Sequence, residues 1–164
     1  ILCMEGEMYE SGRIPREGLA GVSDRALNLA DRIPMDLILL MVRIGIGMVF
    51  LKSGLTKTTT GLELADQTFT LFEYEYALPL IPHDVAAYLA TYAEHILPVL
   101  LILGLGGRIA ALGLLGMTIV IQVFVYPQLW DVHLLWAGAL LLVIAQGPGR
   151  ISIDKAIAHF AKDG

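Results

Sequence analysis

Apolar positions dominate this chain in four long runs, separated by short polar breaks. Between Ala86 and Gln146 the only fully charged residues are Glu94, Arg108 and Asp131. A soluble helix keeps a polar face for water, whereas Ile109 to Val125 is apolar all round except for Thr118 and Gln122, as a lipid-solvated helix must be. A span needs roughly 20 apolar residues to cross a hydrocarbon core about 30 Å thick. Spans are therefore predicted over about residues 35–55, 85–105, 109–126 and 129–146. Pro34 stands at the start of the first, where a missing N–H costs least. Gly104, Gly106 and Gly107 make a tight turn that folds the second and third into a hairpin. The fourth is shorter and begins with polar residues, but Trp130 and Trp136 suit an interface and Gly147, Pro148 and Gly149 end it. The fold class that follows is all-α: an integral membrane four-helix bundle over residues 34–149, one domain, with short interfacial helices.

The flanks read differently. Residues 1–33 form a polar N-terminal segment in which Ser23 caps a short helix through Leu29, and Glu5, Glu7 and Glu10 interrupt any secretory h-region. In residues 150–164, Ser152 or Asp154 caps a final helix whose Ile153, Ala156, Ile157 and Phe160 share one face, the pattern of an interfacial anchor. Between the first two spans, Phe69, Phe72 and Tyr76 recur at helical spacing, while Tyr74 and Tyr76 alternate with Glu73 and Glu75 at strand spacing. The helical reading, a short amphipathic piece lying on or dipping into the membrane, is favoured. Arg25, Arg32, Arg108, Arg150 and Lys155 all fall on one side of the bundle, which makes that side cytoplasmic and puts both termini there. The opposite side receives the acids Glu63, Asp66, Glu73, Glu75, Asp84 and Asp131 against Lys57.

Composition narrows the function classes. The chain is 56% hydrophobic but only 8% aromatic and holds 17 glycines, which suits closely packed apolar helices. A formal charge of -5 with no basic cluster excludes a nucleic-acid partner. Cys3 is the only cysteine, so an intramolecular disulfide and a Cys-x-x-Cys couple are both excluded, and redox work needs a cofactor or a partner.

A few polar residues lie where lipid should be. Arg43 sits about eight residues into the first span and Glu94 about as far into the antiparallel second. With the span ends level, their Cα depths differ by only about 6 Å, within reach of two long side chains. An unpaired charge at mid-depth costs on the order of 3 kcal/mol, so each needs a partner, either as a register-fixing ion pair or as a proton or ligand site. Lys52 can snorkel to the interface, whereas Lys57 in Gly54-Leu55-Thr56-Lys57 stays near the outer mouth of the bundle and is the stronger functional candidate. His83, His95 and His133 match no zinc spacing, and His95 diverges from Glu94 by about 100° on a helix, so no metal site is expected. His133, with Gln122, Tyr126 and Trp130 near it, reads as part of a hydrogen-bonded cap able to meet a quinone carbonyl. Gly45-Ile46-Gly47 lies inside a span and lacks the context of a dinucleotide loop; with Gly54, Gly113 and Gly116 it marks helix packing.

Taken together, Arg43-Ile-Gly-Ile-Gly-Met-Val-Phe50 leading to Gly54 and Lys57, Ala86-Ala-Tyr-Leu-Ala with Glu94 and Leu97-Pro98, and Gly147-Pro-Gly-Arg-Ile-Ser-Ile-Asp154 resemble the DoxX family of small four-span bacterial membrane proteins. Ala110 to Thr118, Phe124-Val-Tyr-Pro127 and His133-Leu-Leu-Trp136 are similar to a proteobacterial subgroup often encoded beside small metal-responsive secreted peptides. The resemblance implies a multi-pass protein of the bacterial cytoplasmic (inner) membrane that serves as accessory subunit or anchor for a redox or metal-stress system. It also implies a protein partner in a membrane complex and a link to quinone. Two other classes remain open: an oxidoreductase that itself passes electrons from thiosulfate or a thiol to quinone, and a small-molecule or metal transporter. The transporter would need a homo-oligomer, and no inverted repeat supports it.

Overall fold

The computed structural model describes residues 33–60 and 62–163; the helix expected from Ser23 to Leu29 lies outside them. Among the described residues the chain forms α1 (Met35–Leu55), α2 (Asp66–Tyr74), α3 (His83–Leu103), α4 (Gly107–Val120) continued by a π-helical turn (Ile121–Val125), α5 (Trp130–Gln146) and α6 (Ile153–Asp163). Three of these, α1, α3, and α4 with its π turn, are 21, 21 and 19 residues long and apolar enough to cross a membrane; α5 is a shorter apolar helix. The architecture is an all-α membrane bundle.

Its burial pattern inverts that of a soluble bundle. Met41, Leu89, Ile109 and Leu135 stand outward and exposed, while Arg43, Lys57, Glu94 and His133 are buried. Lipid solvates the apolar exterior without penalty, and the charged groups retreat to the interior, where other protein groups can satisfy them. Around the ring α1 packs on α3, α3 on α4, α4 on α5, and α5 back on α1. Phe50, Leu101, Leu114, Leu140 and Val143 fill the centre, with Ala110 and Ala111 letting the backbones close in. Phe50 meets Trp136 edge to face at 5.5 Å.

The α3–α4 turn requires glycine twice over. Gly104 adopts φ 67°, and a Cβ there would sit 2.5 Å from Ser152 Cβ and 2.8 Å from Arg43 Nη1. Both residues anticipated as caps of the last helix act, but on different helices. Ser152 Oγ accepts from the Lys155 N–H at 3.3 Å at the start of α6. The Asp154 carboxylate accepts from the Gly106 and Gly107 N–H groups at 2.8 and 3.1 Å, so it caps α4 instead.

The third span is not one uninterrupted α-helix. The Tyr126 N–H donates to the Ile121 carbonyl at 2.8 Å, an i to i+5 bond that inserts an extra residue into the last turn. Pro127 accounts for the stop: it disfavours the helical conformation at Tyr126, which lies at φ -130°, ψ 65°. The widened turn carries Gln122.

Candidate functional site

A single glycine sets the site by allowing α1 and α3 to approach. A Cβ on Gly54 would lie 2.9 Å from His95 Nδ1 and 3.0 Å from Glu94 Cβ, so this glycine is what lets Glu94 reach α1. There Lys57 Nζ donates to Glu94 Oε2 at 2.6 Å and to Ser53 Oγ at 2.8 Å. Ser53 Oγ in turn donates to Glu94 Oε1 at 3.1 Å, which closes a ring of three side chains. Lys57 and Glu94 are 5% and 4% exposed, so the pair is withdrawn from solvent and each charge depends on the other. The backbone of Lys57 is fixed from both sides: its N–H donates to the Gly54 carbonyl at 2.9 Å, and its carbonyl accepts from Thr68 Oγ1 at 2.7 Å.

This ring lines a cavity of about 550 Å³, a size typical of small-molecule sites. Phe50, Phe72, Met117 and Trp136 supply apolar walls, and Val49, Leu89, Val120 and Val132, which also border it, are exposed on the outside of the bundle. Exposed apolar side chains thus border the cavity together with the buried charges.

The same cavity is lined by His133 of α5. Gln122 Nε2 donates to the Pro127 carbonyl at 2.8 Å, and Gln122 Oε1 lies 2.7 Å from His133 Nδ1. A carbonyl can only accept, so the amide orientation is set by Pro127, and the remaining Gln122 oxygen assigns the proton to His133 Nδ1. Tyr76 and Tyr126 also border the cavity. Tyr126 donates its hydroxyl to Glu75 and lies 3.2 Å from the Tyr76 hydroxyl. The Glu75 carboxylate, and after it the contact with Tyr76, raise the Tyr126 phenol above its ordinary value. These bonds tie the segment after α2 to the π turn.

Arg43 is elsewhere, and this corrects the expected Arg43–Glu94 pairing. Its guanidinium donates to the carbonyls of Ile102 at 3.2 Å and Ile151 at 2.8 Å, and also to that of Pro148. The expectation placed the ends of the two helices level, but they are staggered. Gly47 packs against Pro98 and Ile102, and Gly54 against His95, which sets the end of α3 opposite Arg43 rather than opposite Met35. Asp36 completes this clamp by accepting the Arg150 N–H at 2.7 Å.

Of the five residues singled out from the sequence, three thus line one cavity: Lys57, Glu94 and His133. His95 does not; its Nδ1–H donates to the Thr91 carbonyl at 2.7 Å, and its ring packs beside Gly54. The cap foreseen around His133 contains Gln122, while Trp130 is exposed and Tyr126 turns to Glu75. Ser53 was missed, although its position one turn before Lys57 on a membrane helix was a usable signal. Tyr76 was read only as part of an amphipathic pattern. Among the described residues, no three of His, Cys, Asp and Glu are grouped so as to hold a metal ion.

Residues 38–127 match the DoxX family. The chain is 32% identical over 132 residues, covering 73% of its own length and 82% of the relative, to an uncharacterized protein of Haemophilus influenzae. No solved structure matches. The chain belongs to the DoxX family.

Proposed function

We propose that this protein is a quinone-linked accessory subunit of a redox or metal-stress system in the bacterial cytoplasmic membrane, and that the cavity at its Lys57 end holds the head group of a lipid-soluble ligand. One observation carries the reading: a buried Lys57–Glu94 pair opens onto an apolar cavity instead of being packed over. A purely structural ion pair gains from complete enclosure, because each spare lone pair left facing a void costs desolvation without return. A site for a polar head group needs the opposite. The aromatic walls suit a flat ring, and the apolar rim suits entry from the bilayer.

In this reading α5 is the fourth span. Its 17 residues cover about 26 Å, close to the hydrocarbon thickness. The Arg43 end, with Arg108, Arg150 and Lys155, faces the cytoplasm, and the cavity lies toward the outer face. A partner protein supplies the electron chemistry, since the sequence offers a single cysteine, Cys3, and none among the residues lining the cavity.

Native mass spectrometry with lipid and quinone extraction, on protein gently released from its own membrane, tests this. A stoichiometric quinone or quinol is the expected result. A bundle that carries a protein partner but no small molecule would make the chain an anchor and remove the ligand from the account.

A further inference from the structure

The polar groups lining the cavity differ in what they still offer a ligand. Lys57 has three N–H donors, and it spends them on Glu94 Oε2 at 2.6 Å, Ser53 Oγ at 2.8 Å and the Ser53 carbonyl at 3.4 Å. The Ser53 hydroxyl proton goes to Glu94 Oε1. Tyr126 has one proton and gives it to Glu75, which leaves the Tyr76 hydroxyl as donor in the contact between the two phenols. His133 Nδ1–H is held by Gln122. Among the described residues, Trp136 is the one lining side chain whose donor meets no acceptor.

Acceptors, in contrast, remain. A carboxylate has about four lone-pair positions, and Glu94 uses two of them. In the neutral imidazole with Nδ1 protonated, Nε2 of His133 is a lone pair that meets no donor among the described residues, on a side chain that lines the cavity. The expectation that His133 donates to a quinone carbonyl therefore runs against its own hydrogen-bond chain.

We infer that the cavity recognises its ligand by hydroxyl groups, donated to Glu94 and to His133 Nε2, so that the reduced, hydroquinone-type ring is held in preference to the quinone, to which Trp136 alone offers a donor. This rests on the reading of the cavity as a head-group site and adds the redox form that it selects. Gln122 and Pro127 are positioning residues: they fix the tautomer, and the π turn places Gln122 to do so. No electron moves in this step; the hydroxyl protons stay on the ligand and are shared with the two acceptors.

A matched pair of probes tests it on the full chain in lipid nanodiscs under argon: 2-decylhydroquinone, and its dimethyl ether, which keeps the ring and tail and loses both donors. Isothermal titration should give a hydroquinone affinity at least about 10-fold above that of the ether, the worth of one to two net hydrogen bonds. His133→Phe, close in volume, should cut that ratio several-fold, and Gln122→Met, which frees the tautomer, should cut it less. Equal binding of the two probes to the unaltered protein would overturn the inference while leaving the head-group site standing. Binding of neither would overturn both. The comparison on the unaltered chain decides the matter even where a variant fails to fold.

Discussion

The two ends of the bundle bury charge in different ways. At one end the Arg43 guanidinium is held by backbone carbonyls from two separate segments, and the chain after α5 closes over it. At the other, Lys57 and Glu94 satisfy each other through side chains, and space is left beside them. Backbone carbonyls cannot titrate or move away, so the first arrangement can only staple. A side-chain ring with spare lone pairs can meet a ligand. Burial alone thus does not mark a site in a membrane bundle; the nature of the partner and the presence of space do.

The largest effect should come from breaking the staple. Arg43→Met strands three part-buried carbonyls and should cost on the order of 3 kcal/mol, read as a fall in thermal midpoint and membrane yield. The fraction that still folds should bind the hydroquinone probe as before; a loss of affinity in folded protein would erase the contrast between the ends.

Next comes the pair itself. Lys57→Met leaves Glu94 buried without its counter-charge and should cost about 3 kcal/mol. Lys57→Met combined with Glu94→Leu removes both charges, and apolar replacements of a buried pair are commonly neutral, so the midpoint should return near that of the unaltered chain. Additive losses in that cycle would show that the two side chains are not coupled.

Smaller again is Gly54→Ala. The added methyl meets His95 and Glu94 at 2.9 and 3.0 Å and must push α3 outward, at a cost of about 1–3 kcal/mol. Unchanged stability and an unchanged Lys57–Glu94 contact would mean that the helices approach less closely than described.

Tyr126→Phe should have the least effect, about 1 kcal/mol or below, because its bond to Glu75 is near the surface. Its sign with pH is set by the raised phenol. A group protonated more tightly in the folded state stabilises below its unfolded value and ceases to do so as pH climbs through the folded one. The advantage over Tyr126→Phe should hold up to about pH 10 and shrink above it. An advantage that grew above that pH would contradict the assigned bond.

Much of this architecture was legible in the chain, for a physical reason. Lipid removes the need for a polar face, so α1 coincides with the apolar run from Met35 to Leu55, and Gly104 marks the turn after α3. Lys57 was legible as a candidate because Gly54 permits a close helix approach and leaves the ammonium near the outer mouth of the bundle. What could not be read was stagger. Which residue of α3 faces Arg43 depends on small residues meeting bulky ones, Gly47 with Ile102 and Gly54 with His95, and a helix has no sequence mark for its axial position beside a neighbour. The π turn was hidden for a similar reason, since Pro127 announces a stop but not how the last turn relaxes before it. His133 was found, but its role as acceptor depended on Gln122 and Pro127, whose arrangement only the fold supplies.

The most direct measurement of the contrast between the ends is 2-decylhydroquinone titration of the Lys57→Met/Glu94→Leu protein in nanodiscs, with its thermal midpoint taken on the same sample. The account predicts a midpoint within a few degrees of the unaltered chain and an affinity lower by about 10-fold, as one lost hydrogen bond to a carboxylate would give. A folded double variant that binds the probe as tightly as before would show that the Lys57–Glu94 pair is a second staple and not part of a site.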